Sequence, residues 1–205
     1  MIARLVCIFC LASSVAFAQN ETGMVLNSAI DDVEEKVIAW RRYIHQHPEL
    51  SNREYETASL VAAHLESLGF DEIETGIAHT GVVGTLRGGQ PGPTVALRAD
   101  MDALPVKEMV DLPFASRVTA EYNGEQVSVM HACGHDNHVA ILMGVAEVLA
   151  GVRDEIPGTV KFIFQPAEET AKGAREMVSA GALEGVSAIL ATHVDPHREI
   201  GRAHV

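Results

Sequence analysis

The chain has 205 residues, 47% of them hydrophobic and 21% charged, which fits a folded globular protein and excludes disorder. Its formal net charge is -13 and no run of Lys or Arg forms a stripe, so nucleic acid and anionic membrane are excluded as partners.

The first element is a processing segment. Arg4 supplies a minimal positive region, Leu5 to Phe17 are apolar, and Ala16-Phe17-Ala18 fits the small-residue rule for signal peptidase. Residues 1–18 are therefore expected to be a signal peptide cleaved after Ala18, leaving 19–205 as a secreted or periplasmic protein. The apolar stretch is short for a spanning helix, so no stable membrane anchor is expected. Cys10 also lacks the small residues that precede a lipidated cysteine. Cys7 and Cys10 leave with the signal, and Cys133 is the one thiol of the mature chain. It cannot form an internal disulfide. In an oxidising compartment, a lone Cys between two His is better explained as a thiolate held by metal.

Ile30, Val33, Val37, Trp40 and Ile44 recur at helical spacing, predict a helix over Ser28 to His45 and read as plain core. A second helix is expected from Arg53 to Leu68, with Tyr55, Ala58, Val61, Leu65 and Leu68 inward and Gly69 as its stop. Gly81 to Leu86 and Thr94 to Ala99 read as strands separated by a Gly/Pro-rich turn, which predicts a hairpin. Residues 106–130 read as a loop or small hairpin over the site. Val139 to Ala150 is an apolar helix, Thr159 to Phe164 a strand, Ala171 to Ala180 a helix and Ala188 to Thr192 a strand. This alternation predicts an α/β fold, a mixed sheet flanked by helices.

Residues 131–138 read His-Ala-Cys-Gly-His-Asp-Asn-His, a poor choice for a core and a good one for a transition metal. Asp100 and Asp102 follow one strand, Glu168 and Glu169 a second, and His193 a third. In open α/β sheets the crevice beyond the carboxyl ends of the strands binds ligands. Each residue taken singly has a plainer reading: a turn Asp, a solvated acidic pair, a satisfied histidine. His45, His47, His64 and His79 are read as structural or solvent-facing, and His197 and His204 carry no assignment. One Cys with carboxylates does not resemble a closed structural zinc site; mixed ligation leaves a position for water. One adjacent Glu would ligate while its neighbour moves the proton. A thiol redox role fares poorly, because there is no Cys-x-x-Cys.

Arg98-Ala-Asp-Met-Asp-Ala-Leu-Pro105, His131-Ala-Cys-Gly-His-Asp136, Phe162-Ile-Phe-Gln-Pro-Ala-Glu-Glu169 and Thr192-His-Val-Asp-Pro196 stand in the order and spacing of the M20 metallopeptidase superfamily. Over about residues 30 to 202 the chain resembles its amidohydrolase branch, which includes hippurate hydrolases, N-acyl-amino-acid amidohydrolases and indole-acetyl-amino-acid hydrolases. The resemblance implies the catalytic domain of a di-metal hydrolase holding two divalent ions, Zn, Mn, Co or Ni. It implies Cys133, His135, Glu169 and His193 as ligands, with Cys133 bridging. Glu168 would be the general base and later the acid, and Asp102 a carboxylate that orients a ligand. Asp136 and His138 match the motif without a role. The implied substrate is a small N-acyl amino acid or peptide-like conjugate. Family members are longer, with a lid and dimerisation domain and a returning segment that supplies a last His. The chain is thus expected to be a fragment truncated before the lid, and the full-length form a homodimer. An inactive metal-binding fragment or pseudoenzyme is the alternative, and a dipeptidase or carboxypeptidase the alternative within the class.

Overall fold

A computed structural model describes residues 26–195. The expected signal segment 1–18, with Cys7 and Cys10, lies outside the described residues, as do His197 and His204. Helix α1 spans 26–46, and α2 spans Tyr55–Ser67. Strands β1 (Glu72–Ile77), β2 (Gly81–Arg87) and β3 (Gln90–Asp100) follow. A small hairpin of β4 (Thr119–Tyr122) and β5 (Glu125–Ser128) precedes helix α3 (His135–Gly151). The chain then forms β6 (Pro157–Gln165), α4 (Gly173–Ser179) and β7 (Val186–Ala191). Among the described residues no helix is long and apolar enough to cross a membrane.

The main sheet has the order β1-β2-β6-β3-β7 and is mixed, as expected from the alternation of elements. β1 pairs antiparallel with β2 and β2 antiparallel with β6, whereas β6, β3 and β7 are mutually parallel. Side chains alternate between its faces with period two. Val82, Ala99, Val160, Phe162 and Phe164 point into the larger core beneath α1, α2 and α3, while Val83, Ala96 and Ile163 meet Met177 of α4 on the other face. Burial of each of the two phenylalanines contributes about 1.5–3 kcal/mol.

Three expectations are corrected. β2 and β3 do not form a hairpin, because β6 lies between them: Val82 stands opposite Phe164, and Leu97 opposite Phe162. The Gly/Pro-rich linker bonds to the later segment instead, with Gly88 N donating to Gly158 O at 2.8 Å and Gly89 N to Arg153 O at 2.8 Å. A parallel neighbour needs a crossover connection, and α3 lies in the chain between β3 and β6. Tyr55 is 64% exposed. The inward stripe of α2 runs through Thr57, Val61 and Leu65, and a spacing of two residues turns Tyr55 to the side away from Thr57. Ile30 is 54% exposed and lines an open apolar groove of about 680 Å³ between α1 and α3. The stop at Gly69 holds: its φ of +72° lets the chain leave α2 through a left-handed turn.

Candidate metal centre

Because β3, β6 and β7 are parallel, their carboxyl ends share one edge, and Asp100, Glu168-Glu169 and His193 arrive there together. The fourth contributor is the start of α3. The β4–β5 hairpin turns through Asn123 and Gly124, both at positive φ. The chain then reaches Met130, which exchanges backbone hydrogen bonds of 3.1 Å with Leu104. That pairing sets His131 to His135 beside Asp102. Gly134 caps α3 with φ +84°, so the helix begins at His135 and places His135 and His138 in its first turn.

The Nδ1–H of His135 donates to the carbonyl oxygen of Asp102 at 2.8 Å, leaving Nε2 as the lone-pair nitrogen. That nitrogen stands 3.9 Å from Glu169 Oε1 and 3.9 Å from Glu168 Oε2. His135 Nε2 and Glu169 Oε1 are both buried, and neither has a hydrogen-bond partner. Such orphaned atoms cost about 1–3 kcal/mol each unless something completes them. His193 donates from Nδ1 to Val194 O at 2.8 Å, and its Nε2 lies 3.4 Å from Cys133 Sγ. Ligand atoms of Cys133, His135 and His193 fall within 4.8 Å of one another, as do those of His135, Glu168 and Glu169. His135 is common to both groups.

The electrostatics call for positive charge. Burial works against protonating His135, but Asp102 and Asp100 outweigh it and raise its pKa. Burial, followed by Glu169, Glu168 and Asp100, pushes the Cys133 thiol up to about 11. Burial raises Glu169 too, despite His135. Each of these groups favours its protonated form more than it would in water, and a divalent cation would compete for the same atoms. Thiolate, imidazole and carboxylate donors with two orphaned buried atoms fit a transition-metal centre.

Behind these donors, the loop carrying Glu168 and Glu169 is clamped by carboxylates. Asp102 accepts from Glu168 N and Glu169 N, each at 3.0 Å, and from Ser51 Oγ at 2.6 Å. Glu54, fully buried, accepts from Ala167 N at 2.9 Å, from Asn52 N at 3.0 Å and from Thr80 Oγ1. Ala167 has φ +51°, a left-handed conformation that costs a residue with a side chain about 1–3 kcal/mol. The clamp holds that conformation and aims the two following glutamates. Asp102 therefore holds the backbone of that loop.

Asp136 faces away from the donors. It accepts from Arg41 Nε at 2.8 Å and from His45 Nδ1 at 2.8 Å, and His45 Nε2 lies 3.1 Å from Glu108 Oε1. Of the histidines set aside in the sequence, His45 is thus buried and structural. His64 is half-buried and bonded to Met143 O at 3.0 Å, while His79 is exposed. His131 is buried with both ring nitrogens unpartnered, and burial pushes its imidazole down to about 4, so it stands neutral. Sequence reasoning missed Glu54, Ser51, Arg41 and Glu108. Nothing in their spacing separates them from solvated polar residues.

Soft and hard donors gathered at the carboxyl edge of an α/β sheet are the layout of a metal-dependent hydrolase. The chain belongs to peptidase family M20/M25/M40, whose pattern matches residues 96–205, more than half of its length. The resemblance read from the motifs is borne out. It is 48% identical over 172 residues to thermostable carboxypeptidase 1 of Saccharolobus solfataricus, covering 82% of this chain and 42% of the relative. It is 45% identical over 174 residues to an N-acyl-L-amino acid amidohydrolase of Geobacillus stearothermophilus, covering 84% and 45%. The crystal structure of the YXEP protein of Bacillus subtilis, described as a dinuclear metal-binding peptidase of the M20 family, matches with a TM-score of 0.74. Its sequence identity is 45%, over 82% of this chain and 44% of that one. The chain spans less than half the length of these relatives.

Proposed function

We propose that this protein hydrolyses the amide bond of an N-acyl amino acid or a related short conjugate, with Glu168 moving the proton. The observation that carries this reading is the facing pair His135 Nε2 and Glu169 Oε1, buried and unpartnered, beside a more exposed Glu168. Cys133, His135, Glu169 and His193 would hold two divalent ions, drawn from Zn, Mn, Co or Ni. Divalent ions so held supply Lewis-acid polarisation of the scissile carbonyl and bring the pKa of water towards neutrality. Glu168 takes a proton from the attacking water as the new C–O bond forms. It returns that proton to the leaving nitrogen as the C–N bond breaks, so the products are a carboxylic acid and an amino acid. Asp102 and Glu54 hold the loop so that Glu168 reaches the water while Glu169 stays with His135.

Glu168→Gln tests the assignment: kcat should fall roughly 10²–10⁴-fold with metal content unchanged. Near-normal kcat in a variant that still holds metal would remove Glu168 from the role. The carboxypeptidase relative supports a second substrate class, peptides with a free C-terminus. Assaying N-acyl amino acids and dipeptides side by side discriminates the two, and metal binding with no turnover of either favours an inactive form. On sequence alone we further propose export. N-terminal sequencing of the mature protein should begin at Gln19, and a protein retaining Met1 overturns that placement.

A further inference from the structure

We propose that Arg98, Asp100 and His138 form a relay that fixes the position of His193, with His138 acting through the backbone of Val194 and not as a metal ligand. This rests on the reading of His193 as a ligand. Asp100, His135 and His138 bring their ligand atoms within 4.8 Å of one another, so by distance alone they too would suit a metal. The hydrogen bonds decide otherwise. Asp100 is fully buried; its Oδ2 accepts from Arg98 Nη1 at 2.7 Å, and its Oδ1 meets His138 Nδ1 at 2.6 Å. His138 is buried as well, and its Nε2 lies 3.0 Å from the backbone nitrogen of Val194. A backbone N–H only donates, so Nε2 must carry the lone pair and Nδ1 the proton, which the Asp100 carboxylate accepts. Each of these atoms already has a partner, whereas His135 Nε2 and Glu169 Oε1 have none.

Val194 follows His193 directly, and three contacts hold it. Its N–H is spent on His138, its carbonyl accepts from His193 Nδ1, and its side chain lies over Gly134, where a Cβ would meet Val194 Cγ2 at 2.5 Å. The His138 ring also packs against the His193 ring, with centroids 4.6 Å apart. His193 is exposed and lies beyond the end of β7, so order reaches it from the buried side. Gln165 Oε1 steadies Arg98 Nε at 2.9 Å at the far end of the relay.

Asp100→Asn is the informative change. An amide nitrogen turned to Arg98 opposes donor to donor. Turned to His138, it forces the proton onto Nε2, which then opposes Val194 N–H. Long-range ¹H–¹⁵N correlation of the imidazoles in the metal-free wild-type chain should show a protonated Nδ1 and a bare Nε2 at His138. A protonated Nε2 overturns the relay. Zinc titration by calorimetry should show Asp100→Asn binding roughly 10–100-fold more weakly, with its far-UV circular dichroism retained. His193→Ala is the companion. If it loses affinity while Asp100→Asn stays within about twofold, the relay alone fails. If it binds zinc as the wild type does, His193 is no ligand and the proposal falls with that reading.

Discussion

His135 and Asp136 are consecutive in the first turn of α3, and both are shielded from solvent, yet their surroundings follow opposite plans. On the side of His135, a ring nitrogen and a Glu169 oxygen face one another without hydrogen bonds. On the side of Asp136, Arg41, His45 and Glu108 saturate one another. A helix turns each successive side chain by about 100°, so one short polar motif serves two directions. A buried polar atom without a partner is the exception in a folded protein, and among the donors beside His135 a bound ion would supply one. A saturated side holds the helix start in place. Substitutions on the first side should therefore appear in metal affinity, and substitutions on the second in folding stability.

The sharpest way to break this contrast is Asp136→Ala. It strands His45, held between two carboxylates, and leaves Arg41 without its partner. Removing one member of a buried ionic group costs about 3–5 kcal/mol. Urea unfolding of the metal-free protein measures it, and a loss below about 1 kcal/mol would mean that the second side is not structural.

Legibility in the sequence follows the same division. The open side lies in short motifs, so Cys133, His135, Glu168, Glu169 and His193 were readable as a group, and the sheet brings them to one edge as expected. The saturated side is built from partners far apart in the chain: His45 lies 91 residues from Asp136 and 63 from Glu108. No periodicity announces such a pairing, and Glu54 near the start of α2 looks like any solvated acid until Ala167 is seen above it. The supposed β2–β3 hairpin failed for a related reason. Its turn signal was real, but the hydrogen bonds of the linker go to residues 153–158 and not across the turn.

Glu54 gives a second, smaller effect, because it serves the open side from a buried position. Burial raises its pKa above the ordinary 4.5, although Thr80 and the N–H groups of Ala167 and Asn52 oppose the rise. Just above pH 4.5 the folded state then holds more protons than the unfolded state, so the wild type loses stability as pH rises through that window. Glu54→Gln keeps an acceptor for both N–H groups and carries no charge. Its stability relative to the wild type should therefore improve as pH rises from 4.5, as followed by thermal melts at stepped pH. A difference that does not change with pH would show that Glu54 carries no raised pKa.

The smallest effect is expected where the same two helices meet at the surface. Lys36 of α1 pairs with Glu147 of α3, the two side chains being 55% and 27% exposed. Arg41 and Asp136 join the same helices one end over, but there the carboxylate is buried. Water and salt screen the exposed pair, and ordering two long side chains offsets much of its Coulomb energy, so such pairs contribute about 0–1 kcal/mol. Lys36→Ala should thus shift the urea midpoint slightly, and the shift should shrink further in high salt. If Lys36→Ala cost as much as Asp136→Ala, the pairing of α1 with α3 would matter more than burial, and the contrast between the two sides of the turn would lose its physical basis.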